Sequence, residues 1–411
     1  MQYRRVVILL LLGVTVLLAG CNGGKETDEI AYVIGMGIDD AGDDKIDVTY
    51  RIAIPRALGI GEGAGEVDSK TSEVITIRAA NLVESRNFLN AIVARVPNFS
   101  HVKAIGIGEA LARKGVEKFL TSTVRFWEFR GSVIFLVFNG TAQEFVNKNK
   151  PQLEILPAKY YETQMLNATD TDYFLHSTLH NFYEGLKSNS SSSYAVLFGI
   201  SSQELDPPAV AAIPPAKADQ YIAKFIPRQG GSLGEALGTA VFHKDKMVGT
   251  LTNEETRMLA ILKGELPGDF MIIQDPLVPD DSVSIRVRLM RKPDIVVRVI
   301  NGQAFITVKI FLEGEVTSIP SGVNYESQYR QNLEDQISLA VKQNTEQMVK
   351  KTQQLGSDVA GFGYYARSSF SNYDEFMAMD WNEVYSQAVL EVSVVTELRR
   401  NGLMGQTAPI W

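Results

Sequence analysis

The sequence predicts an α+β chain of three domains, with mixed sheets and packed helices and a C-terminal domain made of a meander and one long helix. Three observations carry that expectation. Between residues 30 and 205, apolar runs of strand period alternate with amphipathic helical runs, the pattern of a sheet with helices on its faces. Between 277 and 411, alternating strands precede a single long helical stretch. Between them, "DPPAVAAIPPAKA" (Asp206–Ala218) reads as an extended Pro-rich crossing.

In chain order, "IAYVIGMGID" and "IDVTYRIAI" read as strands joined by the turn "DAGDDK". "ALGIGEGAGEVDSKTSE" has glycines at alternate positions, which is not phosphate-loop spacing, and reads as a mobile loop. "EVITIRAA" is a strand, and "NLVESRNFLNAIVARV" an amphipathic helix with Leu82, Leu89 and Ile92 on one face. "HVKAIGIG" and "GSVIFLVFNG" are strands, each followed by a helix, the second with Thr141 as N-cap. "DYFLHSTLHNFYEGLK" reads as helical and runs into the low-complexity loop "SNSSSS". Residues 206–276 read as a linker and a small middle domain: the hairpin "ALGTAVFHKDKMVGTLT", then the helix "NEETRMLAILKG", capped by Thr252 or Asn253 and closed by Gly264. In the last domain, "DIVVRVI" and "AFITVKIFLEGEV" meet at a tight "NGQ" turn. The long helix spans Tyr325 to Leu355, with Leu333, Ile337, Ala340, Val341 and Met348 as one apolar stripe.

The N-terminus carries a different signal. Arg4 and Arg5 precede a run from Val6 to Leu18 that only Gly13 and Thr15 interrupt. This is a positive n-region and a short h-region. Thirteen helical residues reach about 20 Å, short of a hydrocarbon core of about 30 Å. Leu18-Ala19-Gly20-Cys21 resembles the bacterial lipobox, so residues 1–20 read as a lipoprotein signal peptide and 21–29 as a lipid-anchored tether. Cys21 is the single cysteine of 411 residues. Its thiolate is the nucleophile that would take a covalent diacylglycerol lipid. Two acyl chains meet the two-signal requirement for stable membrane attachment.

That assignment excludes several classes of function. With Cys21 acylated, no disulfide framework and no Cys-based zinc site remain. Loss of Arg4 and Arg5 with residues 1–20 takes the formal net charge from −8 to −10, which argues against nucleic acid as a partner. His176 and His180 share an i, i+4 spacing but lack the Glu of a zincin helix, so packing is the better reading than metal. "GGSLG" fits the nucleophile-elbow letters around Ser232, yet a strand rather than a helix follows, and His243 is the nearest candidate base. No catalytic residue, metal or cofactor is expected. "VRFWEFRG" interleaves Arg125, Glu128 and Arg130 with Phe126, Trp127 and Phe129. It reads either as packing, with Trp127 buried and Arg130 paired to Glu128, or as a partner contact through Arg125, Trp127 and Arg130.

Beyond these residues the chain resembles the Ger(x)C family, the lipoprotein C subunits of nutrient germinant receptors in endospore formers. The resemblance runs through "VIGMGID" (Val33–Asp39), "HVKAIGIGEALARKGVEKFL" (His101–Leu120), "LGTAVFHKDKMVGTLTNEETRMLAILKGE" (Leu237–Glu265), "LGSDVAGFG" (Leu355–Gly363) and "LRRNGLMG" (Leu398–Gly405). Two stretches depart from it: Asn22-Gly23-Gly24 stands where the family often carries Trp-Asp, and "RFWEFR" is unusually aromatic. The resemblance implies three α+β domains on the outer face of the inner spore membrane, a non-catalytic role, and assembly with a multi-spanning A subunit and a transporter-like B subunit. The competing expectation is a lipid-anchored solute-binding protein of a transporter. It requires two matched lobes, and the chain shows no internal repeat.

Overall fold

The computed structural model describes residues 3–5, 29–54, 71–154, 157–206, 211–212, 219–266, 268–325 and 328–400. Residues 6–28, which include Cys21, the glycine-alternating loop and most of the Pro-rich crossing lie outside them.

The first sheet holds nine strands: β1 (Ile30–Gly42), β2 (Lys45–Ala53), β3 (Ser72–Ala79), β4 (Val96–Asn98), β5 (Ala104–Gly108), β6 (Ile134–Asn139), β7 (Tyr194–Ile200), β10 (Gly234–His243) and β11 (Lys246–Leu251). The two-residue strands β8 (Ala211–Ala212) and β9 (Asp219–Gln220) pair with each other, antiparallel and apart from this sheet. The spatial order is β11-β10-β7-β6-β5-β1-β2-β3, with β4 beside the start of β1. β1, β5, β6 and β7 run parallel at the centre, while β2–β3 and β10–β11 are antiparallel flanks. Helices fill both faces, so β6 is apolar from Ile134 to Phe138. Phe135 and Val137 enter one core with Phe119, Phe182 and Phe242, and Leu136 and Phe138 enter the other with Phe145, Tyr161 and Phe198.

The hairpin read as part of a middle unit adds to this first sheet, pairing β10 with β7 from Gly234↔Ile200 to Val241↔Tyr194. The helix that follows it, Asn253–Lys263, sends Met258, Leu259, Ile261 and Leu262 into the second core instead. Its Thr252 forms the capping box with Glu255.

The second sheet has five strands: β12 (Asp269–Gln274), β13 (Ser282–Leu289), β14 (Asp294–Ile300), β15 (Gln303–Ser318) and β16 (Val389–Arg400). β14 and β13 pair in turn with the first and second halves of β15, and β16 runs parallel to it. Asn301 and Gly302 take φ of 51° and 81°, the left-handed pair of a two-residue hairpin turn. The long helix, Arg330–Gln354, lays its expected apolar stripe on the inner face against Ile306, Val308, Ile310 and Leu312. It starts later than Tyr325 because that side chain is drawn into the core, where its hydroxyl donates to Asp275.

The helix expected over "DYFLHSTLH" starts only at Leu179. The backbone of 177–179 is occupied by strand β6 and its flank: Phe135 N–H donates to Ser177 O, and Leu179 N–H to Val133 O. Thr178 then caps the helix. His176 therefore lies outside the helix, and the shared helix face of His176 and His180 does not exist.

Candidate functional site

Arg125, Trp127 and Arg130 come together on a short knuckle after the helix Glu117–Arg125. Trp127 is 84% exposed. Arg125 and Arg130 are exposed too, and among the described residues neither forms an ion pair. The expected alternative is corrected on both counts, because Trp127 is not buried and Glu128 does not pair with Arg130. Glu128 is the buried member. Its carboxylate accepts from the Phe99 amide at 2.8 Å and faces Arg86 at 3.3 Å.

That one carboxylate explains the shape of the knuckle. Glu128 turned inward sends its neighbour Trp127 outward. Phe126 and Phe129 pack on Phe99 at ring distances of 6.2 and 5.6 Å, and the Arg86 guanidinium lies 5.0 Å from the Phe126 ring. Beneath them Tyr50 donates to Ser85, and burial pushes its hydroxyl up to about 12. The cavity left among Met36, Leu82, Phe99 and Phe129 is about 30 Å³, room for one water. The knuckle is a preformed surface feature on a filled base.

The motif residues serve the interior. Asp39, at the end of "VIGMGID", accepts from the Ala142 and Gln143 amides at 2.7 and 2.8 Å and so holds the start of the helix after β6. Burial raises its carboxyl while those amides pull it down. Asp358, in "LGSDVAGFG", accepts from Gly361 N–H, Gly363 N–H and the Trp381 indole at 2.8, 2.9 and 2.7 Å. Its own carbonyl accepts from the Ser192 amide. The serine run is thus a seam rather than a free loop: Ser190 meets Arg367 and Ser191 meets Tyr364 across it.

A second buried cluster sits where the two sheets' cores meet. Arg257 is fully buried and donates to Glu254 at 2.6 Å, to Asp269 at 2.7 Å and to Phe270 O at 2.9 Å, with the Tyr173 ring 4.9 Å away. Asp172, 1% exposed and at φ 44°, lies in the same field with both carboxylate oxygens unpartnered. Burial first, then Asp269, push its carboxyl up to about 7. Sequence reading missed Asp39, Arg257 and Asp358. An arginine inside the apolar run "RMLAIL" is the one signal that pointed inward.

The other candidates are placed elsewhere. His180 faces Glu184 at 3.2 Å, and His243 contacts Gly356 O at 2.5 Å. The Ser232 hydroxyl accepts from the Gln152 amide at 3.1 Å and leads into β10 rather than a helix. No group of three His, Cys, Asp or Glu able to hold a metal occurs among the described residues. Cys21 and Leu18-Ala19-Gly20 lie outside them.

Fold and clusters together define a mixed α+β protein whose two sheets are joined by buried polar contacts. Residues 23–200 match the spore germination protein N-terminal domain, and residues 237–402 match the spore germination B3/GerAC-like C-terminal family. The chain is 25% identical to the putative spore germination protein YfkR of Bacillus subtilis strain 168, over 98% of each chain. It is 24% identical to spore germination protein KC of the same organism, over 97% of this chain and 96% of that one. The crystal structure of the GerBC protein shares the fold, with a TM-score of 0.52 at 18% identity, covering 89% of this chain and 96% of that one. The chain belongs to the Ger(x)C family, the GerAC/B3-like C-subunit family of spore germinant receptors.

Proposed function

We propose that the chain is the lipid-anchored C subunit of a nutrient germinant receptor, required for receptor assembly and the germination response and without catalytic chemistry of its own. The observation that carries this reading is the tiling of two germination-family matches from residue 23 to 402, beginning just after Cys21. Among the described residues no helix is long and apolar enough to cross a membrane, so attachment through the Cys21 diacylglycerol lipid is what the reading requires. Leu18, Ala19 and Gly20 are the signal-peptidase recognition residues, and the body sits on the outer face of the inner spore membrane. Its partners there are the multi-spanning A and transporter-like B subunits. Tethering raises their effective concentration, so a small contact surface suffices for engagement. The three-part division is proposed as the order of modules, with 206–276 as the joint. Its hairpin extends the first sheet, and its helix enters the second core.

The test is Cys21→Ala in the sporulating cell. Metabolic labelling with palmitate should disappear, the protein should leave the membrane fraction, and receptor assembly should fall while the body remains folded. Unlabelled wild type, or full assembly and germination by the unlipidated variant, overturns the reading.

A further inference from the structure

The point at which the chain enters the fold lies beside the knuckle. β1 begins at Ile30, paired with Val96, and two residues on Tyr32 is paired with Asn98. The next residue, Phe99, gives its amide to Glu128 and packs its ring on Phe126 and Phe129. Ile30 is therefore separated from Asn98, the residue before Phe99, by two strand residues, about 7 Å, and one strand-to-strand step, about 5 Å. On the other side of the same entry point, Ile92 is 59% exposed and lines a depression with Ala31 and Arg95.

The chain outside this point is short. Cys21 to Ile30 is nine peptide steps, at most about 32 Å fully extended. Whatever surface holds Cys21 is held within that reach of Ile30, at the edge that leads to the knuckle. The local charge is opposite to that of the whole. The mature chain carries −10, whereas the knuckle presents Arg125 and Arg130 with its one acid, Glu128, buried against Arg86. Glu29 is exposed at the entry point itself and Glu73 lines the depression on the Ile92 side, so the cationic excess is confined to the knuckle around Trp127.

We propose that this end of the molecule rests on an anionic phospholipid surface, with Trp127 at headgroup depth and Arg125, Arg130 and Arg95 facing lipid phosphates. The proposal rests on the reading that Cys21 carries the lipid. An indole held outward by a rigid base suits the interface, where Trp is enriched at the headgroup level. Arginines beside it meet the negative potential of the leaflet, while the acidic remainder is repelled. Two attachments fix an orientation that a nine-residue tether alone leaves free.

The experiment uses the full, lipidated protein in liposomes, in a Trp411→Phe background. The remaining tryptophans are Trp127 and Trp381, and Trp381 is only 2% exposed. Flotation reports anchoring, and quenching by bilayer-embedded bromolipid or aqueous acrylamide reports the position of Trp127. On vesicles of phosphatidylcholine with phosphatidylglycerol, bromolipid should quench the emission and acrylamide should not. Both effects should weaken on phosphatidylcholine alone and in Arg125→Gln with Arg130→Gln, and the bromolipid quenching should vanish in Trp127→Phe. Floating protein whose Trp127 stays open to acrylamide and untouched by bromolipid overturns the lipid contact and leaves the anchor standing. Protein that does not float overturns the anchor and the contact with it. Shielding that appears only when multi-spanning partners are co-reconstituted marks a protein-docking surface and also overturns the proposal.

Discussion

Asp39 and Gly108 share one space: a Cβ on residue 108 would lie 2.0 Å from the Asp39 Oδ1 atom. The glycine of "GIGE" is there so that the carboxylate of "GID" can reach the amides of Ala142 and Gln143. Two motifs some seventy residues apart thus encode a single helix cap.

Gly108→Ala should lower stability by roughly 1–3 kcal/mol, the range for forcing an atom into a filled site. Asp39→Ala should lower it by about 1 kcal/mol through the lost cap. The double variant should be no less stable than Gly108→Ala alone, because removing the carboxylate removes the clash. Urea unfolding of the four proteins checks this, and strict additivity would show that the two residues act independently.

Asp358→Ala is expected to be among the most damaging single changes. It strands two glycine amides and the Trp381 indole inside the protein, a loss of roughly 3–5 kcal/mol by analogy with broken buried charge networks. Trp381→Phe removes one of those donors and should cost less. Because the turn ordered by the Asp358 side chain also carries the main-chain carbonyl that holds Ser192, its loosening should expose the serine seam. Limited proteolysis should then cut near residues 188–193 in the variant and not in the wild type.

Stability should fall with rising pH through the field of Asp172. Its carboxyl is pushed up to about 7, so the folded state holds a proton that the unfolded chain, with an ordinary aspartate, releases near pH 4. The folded state binds more protons across that window. Its advantage is therefore full below about pH 4 and is lost as pH approaches about 7. Asp172→Asn should flatten that slope. Thermal melts across this range check the prediction, and an unchanged slope in the variant would assign the pH dependence to another group.

Trp127→Ala should leave the melting temperature almost unchanged, within the roughly 0.5 kcal/mol of an exposed site. Glu128→Ala, next to it in sequence, should destabilise by about 1–3 kcal/mol because it strips the Phe99 amide and Arg86 of a buried partner. Calorimetry of the pair separates surface from foundation. A large loss in Trp127→Ala would make the indole part of the core.

Local pattern was enough for much of the architecture. The period-two runs of β14, β15 and β16, the left-handed Asn301-Gly302 turn and the apolar stripe of the long helix are consequences of neighbours in sequence, where backbone geometry and burial act together. The resemblance of Leu18-Ala19-Gly20-Cys21 to a lipobox is a local reading as well, and it lies outside the described residues. Tertiary structure decided what depends on distant partners. It assigned the hairpin before Thr252 to the first sheet and the helix after it to the second core, since a strand's neighbour is set by which edge is open. It halted the helix expected at His176, because the Ser177 carbonyl there was claimed by β6 and the Leu179 amide by Val133 beside it. It turned Glu128 inward and Trp127 outward, and made the serine run a seam around Asp358. In each case the deciding quantity was the cost of a buried polar group without a partner, and partners brought from far along the chain exist only once it has folded.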